Sequence, residues 1–241
     1  MKSYLLVIII LTAGLLIYLN RAYARIFDSG KNLMPTNIQR SYNLENGRGI
    51  KNIKYSALGD SLTYGLGATD YTGTFPFFIA QNLLNDNKSA LVHNIAVRGA
   101  TLEDVFKEQL PQAVQENPDF ITLLIGINDV RGFTSADDFK SSYEELVAQL
   151  TKTHAKIIII NIPSLGTDSL ILPPYRSYFD ARTKQFNQII KAIANSRSLK
   201  YVDLYTKTKD KFINNSDLYS ADQFHPSRGG YILWGQIINA D

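Results

Sequence analysis

Residues 53–65 read Ile-Lys-Tyr-Ser-Ala-Leu-Gly-Asp-Ser-Leu-Thr-Tyr-Gly, and they carry the clearest structural signal in the sequence. The run from Ile53 to Leu58 is short and largely apolar and ends at Gly59, which predicts a buried β-strand. Ser61 then lies between that strand and a helix. Its hydroxyl can be exposed at the edge of a sheet there, and the helix N-terminus offers backbone N–H groups to an anion. A serine that only caps the helix is the plain alternative.

Strands and helices alternate along the chain that follows. Further strands are predicted at Ala90 to Val97, Phe120 to Ile125, Ile157 to Ile162 and Tyr201 to Leu204. Helices are predicted at Phe75 to Asn85, Thr101 to Gln115, Ser135 to Thr151, residues 176–196 and Ser227 to Ile238. Continuous apolar strands that alternate with helices indicate an α/β fold, with a five-stranded parallel sheet covered by helices on both faces. In such sheets, ligands bind beyond the carboxyl ends of the strands.

The composition excludes several classes of protein. The chain has 241 residues, which suits one large domain or two small ones with a sizeable core. Hydrophobic residues make up 45% and charged residues 20%, as in ordinary globular proteins. A net charge of +3 without a dense basic cluster argues against nucleic-acid binding. Because cysteine is absent, disulfides, Cys-ligated metal sites and thiol nucleophiles are excluded.

An uncharged apolar segment, Tyr4 to Leu19, precedes the alternating region. Sixteen helical residues span about 24 Å, slightly short of a full membrane span and long for the core of a signal peptide. A core helix of a soluble domain normally shows a polar stripe, and this segment shows none. We therefore expect residues 1–25 to be a membrane anchor or signal segment rather than a core helix.

Cleavage and orientation of this segment rest on a few residues. Ala22-Tyr23-Ala24 has the A-x-A form of a signal cleavage site, but Arg21 and Arg25 flank it, which favours an uncleaved anchor. The short basic start at Lys2 favours export of the rest of the chain, so the domain is expected outside the cell, and secreted if cleavage occurs. Residues 26–50 lack a sustained apolar period and are interpreted as a linker, which leaves residues 51–241 as the folded domain.

Two further polar groups follow strand ends. Gly99 comes after the second strand, where a glycine lets another group approach and its N–H can point into a site. Asn128 comes after the third strand, and its side-chain NH₂ is a neutral donor suited to an oxyanion. Turn or cap residues are the plain alternative for both.

An aspartate and a histidine near the C-terminus complete the candidates. In Asp222-Gln-Phe-His225, the carboxylate can hold one ring nitrogen while the other accepts a proton from a serine. A solvated loop histidine is the plain alternative. His93 is interpreted as a structural residue within a strand, and His154 as a solvated one.

Together these segments resemble an SGNH (GDSL-type) hydrolase, a superfamily of esterases and lipases named for its Ser, Gly, Asn and His. The matching blocks span residues 53–240 and are Gly59-Asp-Ser-Leu62, Asn94 through Gly99, Gly126-Ile-Asn-Asp129 and Asp222-Gln-Phe-His225, with Pro226 next. Four blocks in the right order make the resemblance strong, whereas the first alone would be weak. Residues 1–50 have no counterpart in the minimal family domain.

The resemblance implies roles for individual residues. Ser61 would be the nucleophile, His225 the general base and then acid, and Asp222 the residue that orients the histidine. The backbone N–H groups of Ser61 and Gly99 and the side chain of Asn128 would form the oxyanion hole. The implied fold is a three-layer, flavodoxin-like α/β/α sandwich. No cofactor or metal is implied, and the histidines lack zinc-like spacing.

The loop after the fourth strand bears on the substrate. The long connection from Pro163 to Tyr175 carries four apolar residues, which either line an acyl-chain site or pack over the next helix: Leu170, Ile171, Leu172 and Tyr175. We expect an exported, membrane-anchored esterase of the lysophospholipase or acyl-lipid type. An O-acetyl esterase of cell-surface polysaccharide is the enzymatic alternative. A surface binding module without turnover is the alternative of another class.

Overall fold

The computed structural model describes residues 2–31, 33, 38–45, 51–84, 88–164 and 166–240. Parts of the predicted linker (residues 32, 34–37 and 46–50) and the last residue of the helix predicted to reach Asn85 lie outside the described residues, as do Leu165 in the long connection and Asp241 at the end of the predicted domain.

The centre of the fold is a mixed sheet of six described strands. They are β1 (Ser41–Glu45), β2 (Lys51–Gly59), β3 (Lys88–Asn94), β4 (Phe120–Leu124), β5 (Lys156–Ile160) and β6 (Lys200–Val202). Their order is β1-β3-β2-β4-β5-β6, and β3, β2, β4, β5 and β6 are mutually parallel. This order of the five parallel strands is the flavodoxin-like one, so the predicted α/β class is confirmed.

The sheet has one strand more than the sequence predicted. β1 pairs antiparallel with the edge strand β3, with Tyr42 opposite Val92. The predicted linker over residues 26–50 is therefore not simply a linker, because it contains this strand and the end of the N-terminal helix. Tyr42 is buried and packs against Tyr71, with ring centroids 4.5 Å apart, so β1 contributes to the core. The strand protects the edge that β3 would otherwise expose.

The described α-helices pack around this sheet. They are α1 (Lys2–Asp28), α2 (Ser61–Tyr64), α3 (Phe75–Leu83), α4 (Leu102–Asp104), α5 (Leu110–Glu116), α6 (Ile127–Arg131), α7 (Ala136–Leu150), α8 (Tyr175–Ser196), α9 (Leu204–Ile213) and α10 (Arg228–Ala240). A π-helical turn, Val105–Gln109, joins α4 to α5. The sequence did not predict α9, because its start was interpreted as the end of the last strand.

The core is continuous through the sheet and its helices. All five residues of β4 are buried, as the continuous apolar run predicts for a strand covered on both faces. Phe139 of α7 stacks on Phe186 of α8 with ring centroids 4.0 Å apart. Trp234 of α10 packs near Phe75 of α3. Because these contacts fix the helices, the loops at the carboxyl ends of the strands rest on a rigid base.

The N-terminal helix α1 has two parts with different surroundings. Residues 3–18 are exposed, and the stretch from Ser3 to Asp28 is long and apolar enough to cross a membrane, with a mean hydropathy of 2.2 in its most apolar window. The last turns instead pack on the domain, where Ala22 and Ile26 are buried. The Tyr18 hydroxyl donates a hydrogen bond to the Pro173 carbonyl at 2.8 Å. The helix is thus docked on the domain at its C-terminal end only.

Candidate active site

A tight turn presents Ser61 at the carboxyl end of β2. Asp60 caps α2, because its carboxylate accepts a hydrogen bond from the Leu62 N–H at 2.9 Å. Gly59 must lack a side chain, since a Cβ there would lie 2.2 Å from the Leu124 carbonyl oxygen. The side-chain amide of Gln109 accepts from the Gly59 N–H at 2.9 Å and donates to its carbonyl at 2.8 Å. The backbone that leads into Ser61 is therefore held on both sides.

Three side chains form a continuous line of hydrogen bonds. Ser61 Oγ lies 2.8 Å from His225 Nε2, and His225 Nδ1 lies 2.5 Å from Asp222 Oδ2. All three are buried or nearly so. A carboxylate accepts hydrogen bonds only, so Nδ1 carries the proton and Nε2 is left to accept the serine hydroxyl hydrogen. The structure brings together the three residues that the resemblance assigned to acyl transfer.

Asp222 is held in its ionised form. Burial by itself raises the pKa of a carboxyl group, but the hydrogen bond and charge of His225 outweigh it here. The backbone N–H of Phe224 and the Ser220 hydroxyl add further hydrogen bonds, and together these hold the pKa of Asp222 at about 2. A permanently charged Asp222 fixes the tautomer of His225 and stabilises the imidazolium form.

The predicted oxyanion donors surround the same cavity. Ser61, Gly99 and Asn128 all line a cavity of about 480 Å³. Within the part of the chain that the structure describes, the backbone N–H groups of Ser61 and Gly99 donate to no protein acceptor. Asn128 donates one amide hydrogen to the Ala100 carbonyl at 2.9 Å, which leaves the second for a ligand. The arrangement can hold a negatively charged oxygen near Ser61.

The segment after α1 forms part of this cavity, which the sequence did not predict. Residues 29–31, here called the strap, follow the helix, and Ser29, Gly30 and Lys31 line the cavity with Ser61 and His225. A Cβ at Gly30 would lie 3.1 Å from His225 Cε1 and 3.2 Å from Leu66 Cδ2. Gly30 has φ +83°, a conformation that favours glycine. A lone glycine in a polar stretch gives no sequence signal for such a contact.

Arg131 connects the end of α1 to the site. Its guanidinium donates to the Ile26 carbonyl at 2.7 Å and lies over the rings of Phe27 and Phe224, with its central carbon 4.7 and 5.1 Å from their centroids. Phe224 directly precedes His225. Arg131 therefore joins the docked end of α1 to the loop that carries the histidine. In the sequence, only its position two residues after the Gly-Ile-Asn-Asp block placed Arg131 near the predicted site.

Two buried carboxyl groups lie behind Ser61. Burial, together with the nearby charge of Asp129, raises the pKa of Asp60 to about 7 against the opposing effects of the Leu62 N–H and Arg131. Burial likewise raises the pKa of Asp129 to about 6, although its carboxylate accepts from the Leu102 N–H. These groups shape the turns that carry Ser61 and Asn128.

Other candidate residues lie away from the cavity. His93 contacts Glu116 at 2.9 Å, and the exposed His154 lies 3.8 Å from Asp119, both outside the site as predicted.

Leu170 and Ile171 of the long connection are buried in the core, and neither is among the described residues that line the 480 Å³ cavity. Leu170 lines a neighbouring cavity of about 270 Å³ together with Ser29, Gly30 and Asp222. The structure therefore favours packing over an acyl-chain wall for Ile171 only. Among the described residues, no cluster of three or more His, Asp or Glu side chains fits a metal ion.

Comparison with known proteins identifies the family of the chain. Residues 57–233 match the model of the GDSL-like lipase/acylhydrolase family, and the chain therefore belongs to that family of carboxylic ester hydrolases. No curated protein matches the chain.

Solved structures share the fold at low sequence identity. A lipase/acylhydrolase from Enterococcus faecalis is 21% identical with a TM-score of 0.64, over 78% of this chain and 94% of that chain. An acetyl xylan esterase variant from Geobacillus stearothermophilus is 20% identical with a TM-score of 0.62, over 77% and 92%. LAE5, an alpha/beta hydrolase enzyme from the metagenome of Lake Arreo, is 19% identical with a TM-score of 0.63, over 78% and 94%.

Proposed function

We propose that this protein is a membrane-anchored serine esterase that hydrolyses acyl esters of the lysophospholipid or acyl-lipid type through Ser61, His225 and Asp222. The observation that carries the proposal is the unbroken line of contacts at 2.8 and 2.5 Å from the Ser61 hydroxyl to the Asp222 carboxylate. A serine hydroxyl is a weak nucleophile at neutral pH and needs such a base beside it.

The reaction proceeds in two halves. Ser61 Oγ attacks the ester carbonyl carbon while its proton passes to His225 Nε2, and the carbonyl oxygen becomes an oxyanion facing the N–H donors of Ser61, Gly99 and Asn128. The carbon–oxygen bond to the alcohol then breaks, and His225 returns the proton to the leaving alkoxide. Water attacks the acyl-serine by the same route, which releases the carboxylic acid and restores the Ser61 hydroxyl.

Removal of each group in the site is expected to lower the rate of hydrolysis by a characteristic factor. Removal of one oxyanion donor typically lowers the rate by about 10²–10³-fold. Substitution of the buried aspartate in such a triad lowers kcat by about 10⁴-fold, because the histidine then adopts the wrong tautomer. His225 needs no movement to act, since its two ring nitrogens already contact their partners.

The anchor supports a lipid substrate. The nine residues from Asn20 to Asp28 extend about 14 Å along the helix, so the cavity lies within reach of a membrane surface if residues 4–19 are embedded. A membrane-embedded α1 with its end docked beside the site would keep the enzyme close to acyl lipids. Export of the domain, with α1 uncleaved, is part of this proposal.

An O-acetyl esterase is the second candidate function. The observation that favours it is that an acetyl xylan esterase has the same fold. The non-catalytic binding module is disfavoured, because an unused triad would have no reason to keep both hydrogen-bond contacts. Both enzymatic candidates use the same chemistry and differ only in the acyl group and the alcohol.

The test is a series of esters assayed with the full-length protein in nanodiscs. Lysophospholipids and p-nitrophenyl esters from acetyl to palmitoyl are compared with acetylated xylo-oligosaccharides, and Ser61→Ala serves as the inactive control. The proposal predicts higher kcat/KM for long acyl chains and for lysophospholipid. A preference for acetyl groups on sugars would assign the O-acetyl function, and no turnover of any ester would reject the esterase. Protease added to intact cells is expected to degrade the domain, and full protection would reject export.

A further inference from the structure

Positively charged side chains predominate around the cavity at Ser61. Lys31, Arg98 and Arg131 line it, and among its described lining residues there is no carboxylate. The nearby carboxylate of Asp222 is engaged by His225, and Asp222 does not line this cavity. A cleft lined by more positive than negative side chains raises the local concentration of anionic ligands.

Two of the three cations already have partners. Arg131 is buried and donates to the Ile26 carbonyl while its guanidinium lies over two aromatic rings. Lys31 pairs with Asp28 at 2.5 Å, but both side chains are mostly exposed, and such a surface pair is weak enough for Lys31 to exchange partners.

Arg98 is the cation without an assigned role. It is exposed, directly precedes Gly99 and, within the described residues, has no hydrogen bond or ion pair in the structure. A guanidinium presents a planar fork of donors that matches a phosphate in two-point contact. Its neighbour Gly99 is placed to hold the carbonyl oxygen of the ester, so a group bound by Arg98 would lie only a few atoms from the scissile bond.

We propose that Arg98, assisted by Lys31 of the strap, binds a phosphate group on the substrate, so that the site prefers phosphate-bearing esters to neutral ones. The inference rests on the proposed function and adds the substrate class. A phosphate of this kind occurs in the headgroup of a lysophospholipid and also on a soluble phosphorylated glycerol ester, and the acyl chain distinguishes the two sources.

The test compares matched esters with the full-length protein in nanodiscs. The long-chain pair is 1-palmitoylglycerol and 1-palmitoylglycerol 3-phosphate, and the soluble pair is 1-acetylglycerol and its 3-phosphate. Arg98→Gln is expected to lower kcat/KM for the phosphate esters by about 10–100-fold, mainly through KM, as expected for the loss of hydrogen bonds to a charged group. The neutral esters are expected to change less than about twofold, and Arg98→Lys is expected to recover part of the loss.

The control variant is Arg197→Gln. Arg197 is an exposed arginine that follows α8 at the opposite end of the sheet, and it is expected to change neither pair. Equal losses on the phosphate and neutral esters in Arg98→Gln would overturn the proposal, and so would a parent protein with no preference for phosphate. If only the long-chain phosphate ester shows the effect, the phosphate belongs to a lipid headgroup. If both phosphate esters show it, the phosphate is recognised without the chain.

A binding measurement separates this inference from the proposed function. Hexadecylglycerol 3-phosphate, an ether that cannot be hydrolysed, is titrated into the parent and into Arg98→Gln by calorimetry. Weaker binding to Arg98→Gln, with equal weak binding of neutral hexadecylglycerol to both proteins, supports the subsite even if no ester is turned over. Equal binding of the phosphate ether to both proteins rejects the subsite even if esters are hydrolysed.

Discussion

Replacement of Gly30 by alanine tests the contact between the strap and the histidine. The new Cβ would lie 3.1 Å from His225 Cε1, 3.2 Å from Leu66 Cδ2 and 3.5 Å from His225 Nδ1. The first two distances are shorter than ordinary contact, so the ring or the strap must move by a few tenths of an ångström. Alanine at φ +83° adds about 1–2 kcal/mol of backbone strain, which also favours displacement of the strap.

The expected effect on catalysis follows from the geometry. The Ser61–His225 and His225–Asp222 contacts are both at hydrogen-bond distance, so any displacement of the ring lengthens at least one of them. A misplacement of 1 Å can cost about 10²-fold in rate, and a shift of a few tenths is therefore expected to cost roughly threefold to tenfold in kcat. Stability should fall by no more than about 2 kcal/mol.

The assay is kcat on p-nitrophenyl acetate with the full-length protein in detergent micelles, together with the melting temperature. Gly14→Ala is the matched control, because Gly14 lies in the exposed part of α1, where the added Cβ would meet nothing within 4 Å beyond its own helix backbone. Gly14→Ala is expected to keep the parental kcat. A folded Gly30→Ala protein with the parental kcat would refute the reasoning that the strap touches and positions His225.

Three further substitutions follow from the site. Asn128→Ala removes one oxyanion donor and is expected to lower kcat by about 10²–10³-fold with little change in KM, as measured on a soluble ester. Gln109→Leu removes both hydrogen bonds to Gly59 and is expected to lower the free energy of unfolding by about 2 kcal/mol, as measured by urea titration. The pKa of Asp60 is raised from its ordinary value of 3.8 to about 7 in the folded protein. The folded state therefore binds the proton more tightly than the unfolded state, and Asp60 destabilises the fold as pH rises from about 4 through 7. Asp60→Asn is therefore expected to remove up to about 4 kcal/mol of this loss and to raise the melting temperature more at pH 8 than at pH 5.

Each of these predictions has an outcome that contradicts it. An Asn128→Ala enzyme within threefold of the parent would remove Asn128 from the oxyanion hole. A Gln109→Leu protein as stable as the parent would mean that the Gly59 backbone is held by the sheet alone. Equal gains in melting temperature at pH 5 and pH 8 would show that Asp60 is not protonated in the folded protein near neutral pH.

The sequence allowed prediction of those parts of the fold and site that depend on local patterns. The continuous apolar runs predicted the five parallel strands, because strands covered on both faces have no polar side. The blocks around Ser61, Asn128 and His225 were recognisable because they occur together in the order typical of the family, whereas each alone also fits a turn, cap or loop residue. The structure then placed the Ser61 and His225 side chains in contact although 164 residues separate them.

The rest depends on contacts that leave no local pattern. β1 has only five residues and pairs with β3 at the sheet edge, so its assignment requires the partner strand. The strap is polar and contains a glycine. Most linkers have the same composition, so the sequence did not distinguish the strap from a linker. Its place beside His225 follows from the docking of α1 through Arg131, which is a tertiary contact between residues over 100 positions apart.

The central claim is that acyl transfer passes through the Ser61 hydroxyl. The most direct measurement is to mix the full-length protein with p-nitrophenyl acetate, quench with acid within the first turnovers and locate the acetyl group by peptide mass spectrometry. We expect one acetyl group on the peptide that contains Ser61, and none on that peptide in Ser61→Ala or after the acetyl-enzyme has been left to hydrolyse. An acetyl group on a different residue, or an undiminished release of p-nitrophenol by Ser61→Ala, would contradict the account.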